Sequence, residues 1–376
     1  MINDSELVVI LDYKGIVSRN ASAIQRHQLY GKTLSSMTNG KTKLLILGNF
    51  GSKSVLSQIP DLKLISFPNY SKFSPVFIAL SLKALWRIRC KVKIIVSGDP
   101  WMTLMVAKII RYLLNTKIQI QVQLHGDFFS SAWKGLSIRN SIASHFLPLF
   151  LKNCESIRVV SSSQVQDLVD SCNVEINRIV CVPLPLNIPR MPDKNPRRKG
   201  LPIAFVGRLE EERGLKNLLH LVELIPEVFA ARTLWISGSG SKRISLEREL
   251  ELRLPPNSFV FKEDLDAEQL LDMWARVGVL LSLAPAESYG LAMREAIVNG
   301  VPVLAVRTVG SMALNTFLNG NGLIIVEEPF EGEKITEHLS TLDGVQISES
   351  TREALFSESV NLVEILCSSW QRTTLK

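Results

Sequence analysis

The sequence predicts an α/β protein made of two domains, each built on a doubly wound parallel sheet. Short apolar runs typical of buried strands alternate with segments of helical periodicity, which is the pattern of βα repeats. The 376 residues suit two domains that each bury a core. Between them, five prolines in the stretch 183–196 exclude both helix and sheet interior. The predicted boundaries are 1–186, a hinge at 187–200, 201–348, and terminal helices at 349–376.

Composition indicates a folded cytoplasmic protein. Hydrophobic residues make up 46% of the chain and charged residues 21%, which argues against disorder. The five cysteines are an odd number without Cys-x-x-Cys spacing, so neither a disulfide framework nor a zinc site is expected. Acids at residues 1–6 stand where a signal peptide would be basic, and no uncharged apolar run approaches the roughly 18 residues that span a bilayer.

Positive charge is concentrated in the N-terminal half. Residues 1–190 hold 23 Lys and Arg against 10 Asp and Glu, whereas the remainder holds 20 against 26. No spacing typical of a nucleic-acid-binding motif accompanies this charge, so nucleic acid is not an expected partner. An anionic membrane leaflet or a phosphate-bearing acceptor suits it better, although a plain basic face is the alternative. The helical pattern at 73–89 likewise suits either core packing or a membrane-facing amphipathic helix.

The first domain is predicted from seven strand-like runs with helical patterns between most of them. These runs are residues 7–11, 44–47, 62–67, 94–96, 118–124, 157–160 and 179–182. His125 directly follows the fifth run and precedes Gly126. An imidazole at the carboxyl end of a strand lies where open α/β sheets bind ligands, although a packed or capping histidine is the alternative.

Two arginines follow the first strand of the second domain, at 203–206. Arg208 and Arg213 flank a loop that leads into a helix starting at Leu215. Two guanidinium groups beside a helix N-terminus favour a diphosphate ligand. The alternative is that both pair with the acids at 210–212. Further strands are predicted at 234–236, before the turn that holds Gly238, and at 259–261.

A strand, loop, helix and strand at 277–306 carry two glutamates. Glu287 lies in the loop and Glu295 in the helix, with seven residues between them. A carboxylate accepts two hydrogen bonds from a vicinal diol, and the amides of residues 288–291 at the helix N-terminus donate to phosphate or sugar oxygens. The alternative is that Glu287 caps its own helix and that Glu295 is an exposed helix residue.

These residues resemble the retaining GT-B glycosyltransferases of the family 4 type, the glycosyl transferases group 1. The likeness consists of Glu287-Ser288-Tyr289-Gly290, Glu295-Ala296 and Gly300-Val301-Pro302-Val303, together with Gly207-Arg208-Leu209 and Arg213-Gly214, where Arg213 replaces the usual lysine. It is dense over 203–326 and thin over 1–190, where His125 carries it. The resemblance implies the GT-B fold: two Rossmann-like domains that face each other across a cleft, with terminal helices crossing back to the first.

The resemblance also implies roles for the candidate residues. Arg208 and Arg213 would stabilise the departing diphosphate, Glu287 and His125 would face the donor sugar, and Glu295 would bind the ribose. Further donor contacts are expected at Gly15, Gly238, Phe261, Ser288, Tyr289, Gly290 and Leu291. For Gly15, a plain turn is the alternative.

The predicted function is transfer of a hexosyl unit from a nucleotide diphosphate sugar to a hydroxyl acceptor with retention. A role in cell-surface polysaccharide or glycolipid synthesis is expected, with the protein cytoplasmic or peripheral on the inner face of the plasma membrane. No side chain stands out as a nucleophile, which favours a front-face route, and no metal cofactor is expected. The alternatives are a non-catalytic subunit that binds nucleotide sugars and a sugar nucleotide epimerase.

Overall fold

The computed structural model describes residues 5–12, 21–48, 62–67, 74–114, 117–135, 137–186, 188–192, 198–262 and 265–374. Its contacts divide the chain into two compact units. The first unit comprises Met1–His125, Arg139–Pro185 and Asn361–Lys376. The second unit comprises Gly126–Ile138 and Leu186–Val360. The domain boundaries predicted from the sequence are not tested by this division into units and stay a prediction.

The first unit contains a parallel sheet whose described strands run in the order β3-β2-β1-β4-β5-β6-β7. These strands are β1 Glu6–Asp12, β2 Thr42–Gly48, β3 Leu62–Ser66, β4 Val92–Ser97, β5 Gln119–Leu124, β6 Ser156–Val159 and β7 Ile179–Cys181. All seven predicted strands are confirmed. They were recognisable because strands covered by helices on both faces are apolar almost throughout, as in β2, where Leu44 and Ile46 are fully buried.

Helices cover this sheet. They are α1 Ala21–Met37, α2 Ser74–Trp86, α3 Met102–Leu114, α5 Ile138–Leu151 from residue 139 onwards, and α6 Ser162–Cys172, whereas α4 Ser131–Gly135 belongs to the second unit. The end of the chain completes the core, since the buried indole of Trp370 packs edge-on against Tyr30 and its Nε1 donates to Gln121 Oε1 at 2.8 Å. The last helix thereby contributes to the first unit.

The second unit contains a parallel sheet in the order β10-β9-β8-β11-β12-β13. The strands are β8 Ile203–Val206, β9 Leu234–Ser237, β10 Phe259–Lys262, β11 Val279–Ser282, β12 Val303–Val306 and β13 Leu323–Val326. The helices are α7 Leu215–Leu224, α8 Pro226–Ala231, α9 Arg243–Arg253, α10 Ala267–Ala275, α11 Leu291–Val298, α12 Val309–Leu318, α13 Gly332–Leu342 and α14 Glu349–Thr374, of which the part up to Val360 belongs here. Two doubly wound α/β units of this kind make up the GT-B fold.

The strand order fixes where ligands can approach the second unit. From β8 the chain adds β9 and β10 on one side and then returns to add β11, β12 and β13 on the other. This reversal between β8 and β11 is a topological switch point, and open α/β sheets bind ligands at the carboxyl ends of the strands that flank it. The loops that follow β8 and β11 meet there.

The predicted hinge contains a residue that is part of the second unit's core. Arg198 is almost fully buried, and its guanidinium donates to the carbonyl oxygens of Trp274 and Val277 at 2.6 and 2.7 Å, and to that of Asn299. Burial, and then the nearby Arg352 cation, lower the pKa of Arg198 to about 10. Three carbonyl acceptors replace the water that this cation has lost. At least one basic residue near the prolines is therefore buried in the second unit and is not part of a solvent-exposed linker.

Within the described ranges, no helix is both long enough and apolar enough to cross a membrane.

Candidate functional site

Two of the predicted site residues form an ion pair at the switch point. Arg213 Nη1 donates to Glu287 Oε2 at 2.8 Å, and the two side chains are one-third and about one-fifth exposed. Arg213 follows β8 and Glu287 follows β11, and these strands are neighbours in the sheet. The pair is therefore set by the topology, and the alternative that Arg213 pairs with the acids at 210–212 is wrong.

The three acids near the arginines each bind a different partner. Glu210 accepts from the amide and hydroxyl of Ser241 at 2.8 and 2.6 Å, and these hydrogen bonds lower the pKa of its carboxyl. Glu211 pairs with Lys216 at 2.6 Å. Glu212 alone approaches Arg208, at 3.5 Å. For Arg208, the alternative of pairing with a local acid is thus correct.

Arg208 is nevertheless available to a ligand. Its side chain is more than half exposed, and exposed ion pairs of this length contribute little to stability. Partial burial, and then the neighbouring Arg213 cation, lower the pKa of Arg208. Two guanidinium groups close enough to interact unfavourably create a positive potential at the carboxyl end of β8, and an anion would relieve that repulsion.

Backbone contact holds the two loops together. Gly214 precedes α7 with φ +83°, and a Cβ at this position would lie 2.1 Å from the carbonyl oxygen of Leu283, which follows β11. Asn217 in the first turn of α7 donates to the same carbonyl at 3.2 Å and to Glu328 Oε1 at 2.6 Å. Only glycine permits this approach of the Arg213 loop to the Glu287 loop.

The loop that carries Glu287 is fixed from two sides. It ends at Gly290, whose φ of +74° starts α11, and Glu295 on that helix is only 4% exposed. The amide of Gly310 donates to the carbonyl oxygen of Glu287 at 2.7 Å. The side chain of Glu287 binds Arg213 and does not cap α11, so the two structural alternatives for Glu287 and Glu295 are wrong. Ser288 is buried beside them.

Arg294 is a residue of this site that the sequence reasoning missed. Its guanidinium stacks 3.9 Å from the ring centroid of Tyr289 and donates to the carbonyl oxygen of Tyr289. Burial raises the pKa of Tyr289 to about 12, and burial lowers the pKa of Arg294. The available signal was an arginine among the apolar residues of α11, one position before Glu295. A buried cation there supports the loop and offsets the charge of Glu287.

The strand ends on the other side of β8 hold two further predicted residues. Gly238 has φ +135°, and a Cβ there would lie 1.9 Å from the carbonyl oxygen of Gly207, so the turns after β9 and β8 touch. Phe261 lies in β10, where the Arg243 guanidinium covers one face of its ring at 3.7 Å from the centroid. Gly15, the remaining predicted donor contact, lies outside the described residues.

In the first unit, His125 shares a hydrogen-bond acceptor with a buried arginine. His125 Nε2 lies 2.9 Å from Gln123 Oε1, and Arg158 Nη1 donates to the same oxygen at 3.3 Å. A guanidinium can only donate, so the shared atom is an oxygen and the imidazole Nε2 must also donate to it. Burial, followed by Arg158, Arg26 and His27, lowers the pKa of His125 to about 3. The ring is therefore neutral, with its proton on Nε2 and an acceptor at Nδ1.

Arg158 itself lies where a sequence reading would expect an apolar side chain. It stands in the middle of β6, is almost fully buried, and donates to the carbonyl oxygens of Val182 and Pro183 at 2.8 Å each. Strand periodicity alone gave no indication of its role, because its partners lie in a segment that begins more than twenty residues later.

Over the described ranges, no cluster of three or more His, Cys, Asp or Glu side chains could hold a metal ion. One Asp-x-Asp spacing occurs, at residues 264–266. Asp266 in this string serves as the N-cap of α10, where its carboxylate accepts from the amide of Gln269 in a capping box. The expectation that no metal is required remains a prediction.

Comparison with known proteins identifies the family to which the second unit is similar. Residues 188–342 match the family model described as "Glycosyl transferases group 1". A relative, D-inositol 3-phosphate glycosyltransferase of Corynebacterium efficiens, is 26% identical over 191 residues. That match covers 46% of this chain and 45% of the relative, so it spans less than half the length of the curated protein.

Solved structures extend the likeness over the whole chain. Sucrose-phosphate synthase of Thermosynechococcus elongatus superposes with a TM-score of 0.72 at 15% identity and covers 98% of this chain and 96% of its own. Alr3699/HepE of Anabaena, solved in complex with UDP and glucose, superposes with a TM-score of 0.70 at 13% identity and covers 97% of this chain and 99% of its own. At such identities these likenesses establish the fold, and the predicted GT-B fold is confirmed.

Proposed function

Because residues 188–342 form a glycosyl transferases group 1 domain on a chain with the GT-B fold, we propose that the protein is a retaining glycosyltransferase. It would move a hexosyl unit from a nucleotide diphosphate sugar to a hydroxyl acceptor. The observation that carries this proposal is the ion pair between Arg213 and Glu287 at the switch point of the second sheet. A cation for phosphate and a carboxylate for hydroxyl groups there lie side by side.

The diphosphate of the donor would bind at the carboxyl end of β8. Arg208 and Arg213 would supply two guanidinium groups, whose planar forks match phosphate oxygens. The N-terminal amides of α11, from Ser288 to Leu291, would donate to remaining phosphate or sugar oxygens, aided by the helix dipole. Arg208 meets only an exposed carboxylate in the free protein, so the cost of releasing it to a ligand is small.

The hydroxyl groups of the donor would bind the two glutamates. Glu287 would accept from the sugar, with its orientation held by Arg213 and by the Gly310 amide on its backbone. Glu295 would accept hydrogen bonds from the ribose hydroxyl groups. Because Glu295 is buried in α11, few water molecules compete and such hydrogen bonds are stronger than at an exposed site. Gly238 and Phe261 would line the nucleotide at the ends of β9 and β10.

The chemistry we propose is a front-face displacement. The bond between sugar C1 and the diphosphate oxygen breaks, and its electron pair remains on the diphosphate. The acceptor oxygen bonds to C1 from the same face, and its proton passes to the departing phosphate oxygen. Arg208 and Arg213 would stabilise the charge that develops on the diphosphate, which is an electrostatic contribution. No protein nucleophile and no metal ion are needed in this route.

His125 would face the donor sugar, as the resemblance implies. Its ring is neutral, and its Nε2 proton is donated to Gln123 Oε1. In this state the ring binds and orients the sugar and supplies no positive charge.

The acceptor would be a phosphate-bearing or lipid-linked hydroxyl compound. The excess of 23 basic over 10 acidic residues in the first 190 positions supports an anionic partner. The curated relative is by name a D-inositol 3-phosphate glycosyltransferase. Synthesis of a cell-surface polysaccharide or a glycolipid at the inner face of the plasma membrane fits these features.

A panel of UDP, GDP and ADP sugars tests the proposal. The protein is melted with each donor, and release of nucleotide is then followed for any donor that stabilises it. A donor at about 100 times its Kd should add about 2.7 kcal/mol to the free energy of unfolding. Arg208→Gln should abolish the shift, while Arg248→Gln, an exposed arginine on α9, should preserve it. Stabilisation without nucleotide release would favour the non-catalytic subunit, and the absence of any shift would contradict the proposed site.

A further inference from the structure

We infer that one helical face of the first unit docks on an anionic lipid bilayer. The inference rests on the exposed surface of α2, α3 and α5 and deepens the proposed function by naming how the transferase would reach a membrane-borne acceptor. Its physical basis lies entirely in the first unit.

The three helices lie on the same side of the sheet. The connections β3 to β4, β4 to β5 and β5 to β6 all run in the same direction across the sheet, toward the edge formed by β7. Parallel crossovers are right-handed, so their helices cover one face. Hydrogen bonds join the last two helices, since Lys108 Nζ on α3 donates to the carbonyl oxygens of Phe150 and Lys152 at 2.7 Å each, and α2 packs beside α3. The helices form a continuous surface.

Large apolar side chains on this surface point into water. On α5, Ile142, Phe146 and Leu149 follow the spacing of one helix face and are all about half exposed or more. On α3, Tyr112 and Leu113 are 83% and 51% exposed. A single exposed apolar residue needs no explanation, but a helical row of them next to a second exposed pair indicates an interaction surface.

The charge of this segment is one-sided. The first-unit residues 74–125 and 139–152 contain ten Lys and Arg, one Asp and no Glu. The aspartate is already engaged, since Asp99 accepts from the amide of Trp101 and the hydroxyl of Thr103 at the start of α3. The next acid along the first unit, Glu155, is paired with Arg111 on α3 at 2.8 Å. A protein partner would ordinarily be met by both signs of charge, whereas a surface with many basic groups and few, already engaged acids complements an anionic leaflet.

A groove beside α2 is lined by both apolar and basic side chains. It has a volume of about 550 Å³ and is lined by Ile65, Phe67, Leu80, Trp86, Lys83 and Arg87. The indole of Trp86 is more than half exposed, and Arg89 stacks on it at 4.8 Å. Aromatic rings between basic side chains are typical of the level of the lipid headgroups, where apolar atoms enter the bilayer and cations meet phosphates.

Co-sedimentation with vesicles tests this inference without any donor sugar. The 376-residue protein is mixed with vesicles of phosphatidylcholine containing 30% phosphatidylglycerol, or of phosphatidylcholine alone, at 0.1 and 0.5 M NaCl. Binding should require the anionic lipid and weaken with salt, because the charge interaction is screened. Nucleotide release, measured separately, keeps a failure of docking distinct from a failure of the proposed function.

Matched variants locate the surface. Lys83→Gln/Arg87→Gln should lower the partition coefficient roughly tenfold or more, and Ile142→Ser/Phe146→Ser/Leu149→Ser should do the same through lost insertion. These side chains are exposed, so both variants should fold, which their melting curves will check. The controls carry equal numbers of changes on exposed residues of the second unit, namely Arg248→Gln/Arg276→Gln and Ile244→Ser/Leu252→Ser/Phe317→Ser.

If the two variants at α2 and α5 lose vesicle binding and the two controls retain it, this face of the first unit is the membrane-binding surface. Absence of binding to anionic vesicles, equal binding to neutral ones, or equal loss in the controls would overturn the inference. The last result would mean that the charge or hydropathy of the whole chain, and not this face, governs adsorption.

Discussion

The Arg213 guanidinium and the Glu287 carboxylate are joined at 2.8 Å although 74 positions separate them in the chain. One follows β8 and the other follows β11, which are neighbours only because the sheet reverses its direction of growth between them. In the free protein each group thus partly neutralises the other. A bound donor would need the two groups separately, because its diphosphate would bind the cation and its sugar would bind the carboxylate.

This pairing predicts that Glu287→Gln separates binding from turnover. The variant should bind the free nucleoside diphosphate up to about fivefold more tightly, because a partly exposed ion pair of about 1 kcal/mol no longer occupies Arg213. Release of nucleotide from the sugar donor should fall by orders of magnitude. Titration calorimetry and a release assay measure the two effects. Glu212→Gln, beside Arg208, is the matched control and should retain turnover; weaker diphosphate binding by Glu287→Gln would contradict the arrangement.

Glu295→Gln tests the ribose contact through the ligand. Hydrogen bonds to a carboxylate are worth about 1.5–3 kcal/mol, so the variant should lose roughly 10- to 100-fold in affinity for the nucleoside diphosphate. The loss should be smaller for the 2′-deoxy nucleotide, which lacks one of the hydroxyl groups. An equal loss with both ligands would show that Glu295 acts through the fold of α11, where it is buried, and not through the ribose.

Gly214→Ala should disrupt the contact between the two loops. Its Cβ would lie 2.1 Å from the Leu283 carbonyl oxygen, so a destabilisation above about 4 kcal/mol is expected. Gly200 is a matched control because it has a similar φ, +73°, with nothing within 4 Å of the added Cβ. Gly200→Ala should lower the free energy of unfolding only by the cost of placing alanine in the left-handed conformation, about 1–2 kcal/mol. Similar melting temperatures for the two variants would rule out the proposed close approach.

The histidines of the first unit predict that stability falls as the pH falls below about 6.5. Burial is the largest cause that lowers the pKa of His27 to about 4 and that of His125 to about 3. The unfolded chain therefore binds more protons than the folded one, and each ring removes up to about 1.4 kcal/mol per pH unit between 6.5 and 4. His27→Gln should flatten the pH dependence of the melting temperature, whereas substitution of the exposed His145 should not. An unchanged slope in His27→Gln would contradict the prediction.

Gln123→Glu should change the state of His125. Nitrogen NMR of the wild-type ring should show the proton on Nε2, since Arg158 and His125 both donate to Gln123 Oε1. A carboxylate in place of the amide would favour the imidazolium and raise the pKa of His125, so a new inflection should enter the pH profile of kcat/KM. Gln123→Asn, which shortens the side chain without charge, serves as the comparison. A wild-type ring protonated on Nδ1 would refute this assignment.

The strands of this fold could be predicted from the sequence, whereas several of its charged contacts could not. Buried parallel strands are continuous apolar runs, and local composition marks them, as it does β11 and β12. The partner of Arg213 is decided by strand order, so the acids next to it in sequence were misleading candidates. The same holds for Arg158, whose acceptors lie in a later segment.

Buried arginines were the most consistent omission. Arg198 was assigned to the predicted hinge, but three backbone carbonyls bind it inside the second unit. Arg294 was given no role from the sequence, but it stacks on Tyr289 beneath the glutamate loop. Sequence patterns place arginine in water by default, and only the three-dimensional supply of carbonyl oxygens and ring faces shows where a cation can be buried.

The anomeric configuration of the first product tests the central claim most directly. With the donor that the panel selects, proton NMR of the reaction identifies the anomer formed, and water suffices as the acceptor if it is observed before mutarotation. A front-face displacement predicts that the sugar keeps the configuration it has in the donor. A product of inverted configuration would contradict retention, and an intact donor after prolonged incubation with hydroxyl acceptors would contradict transfer itself.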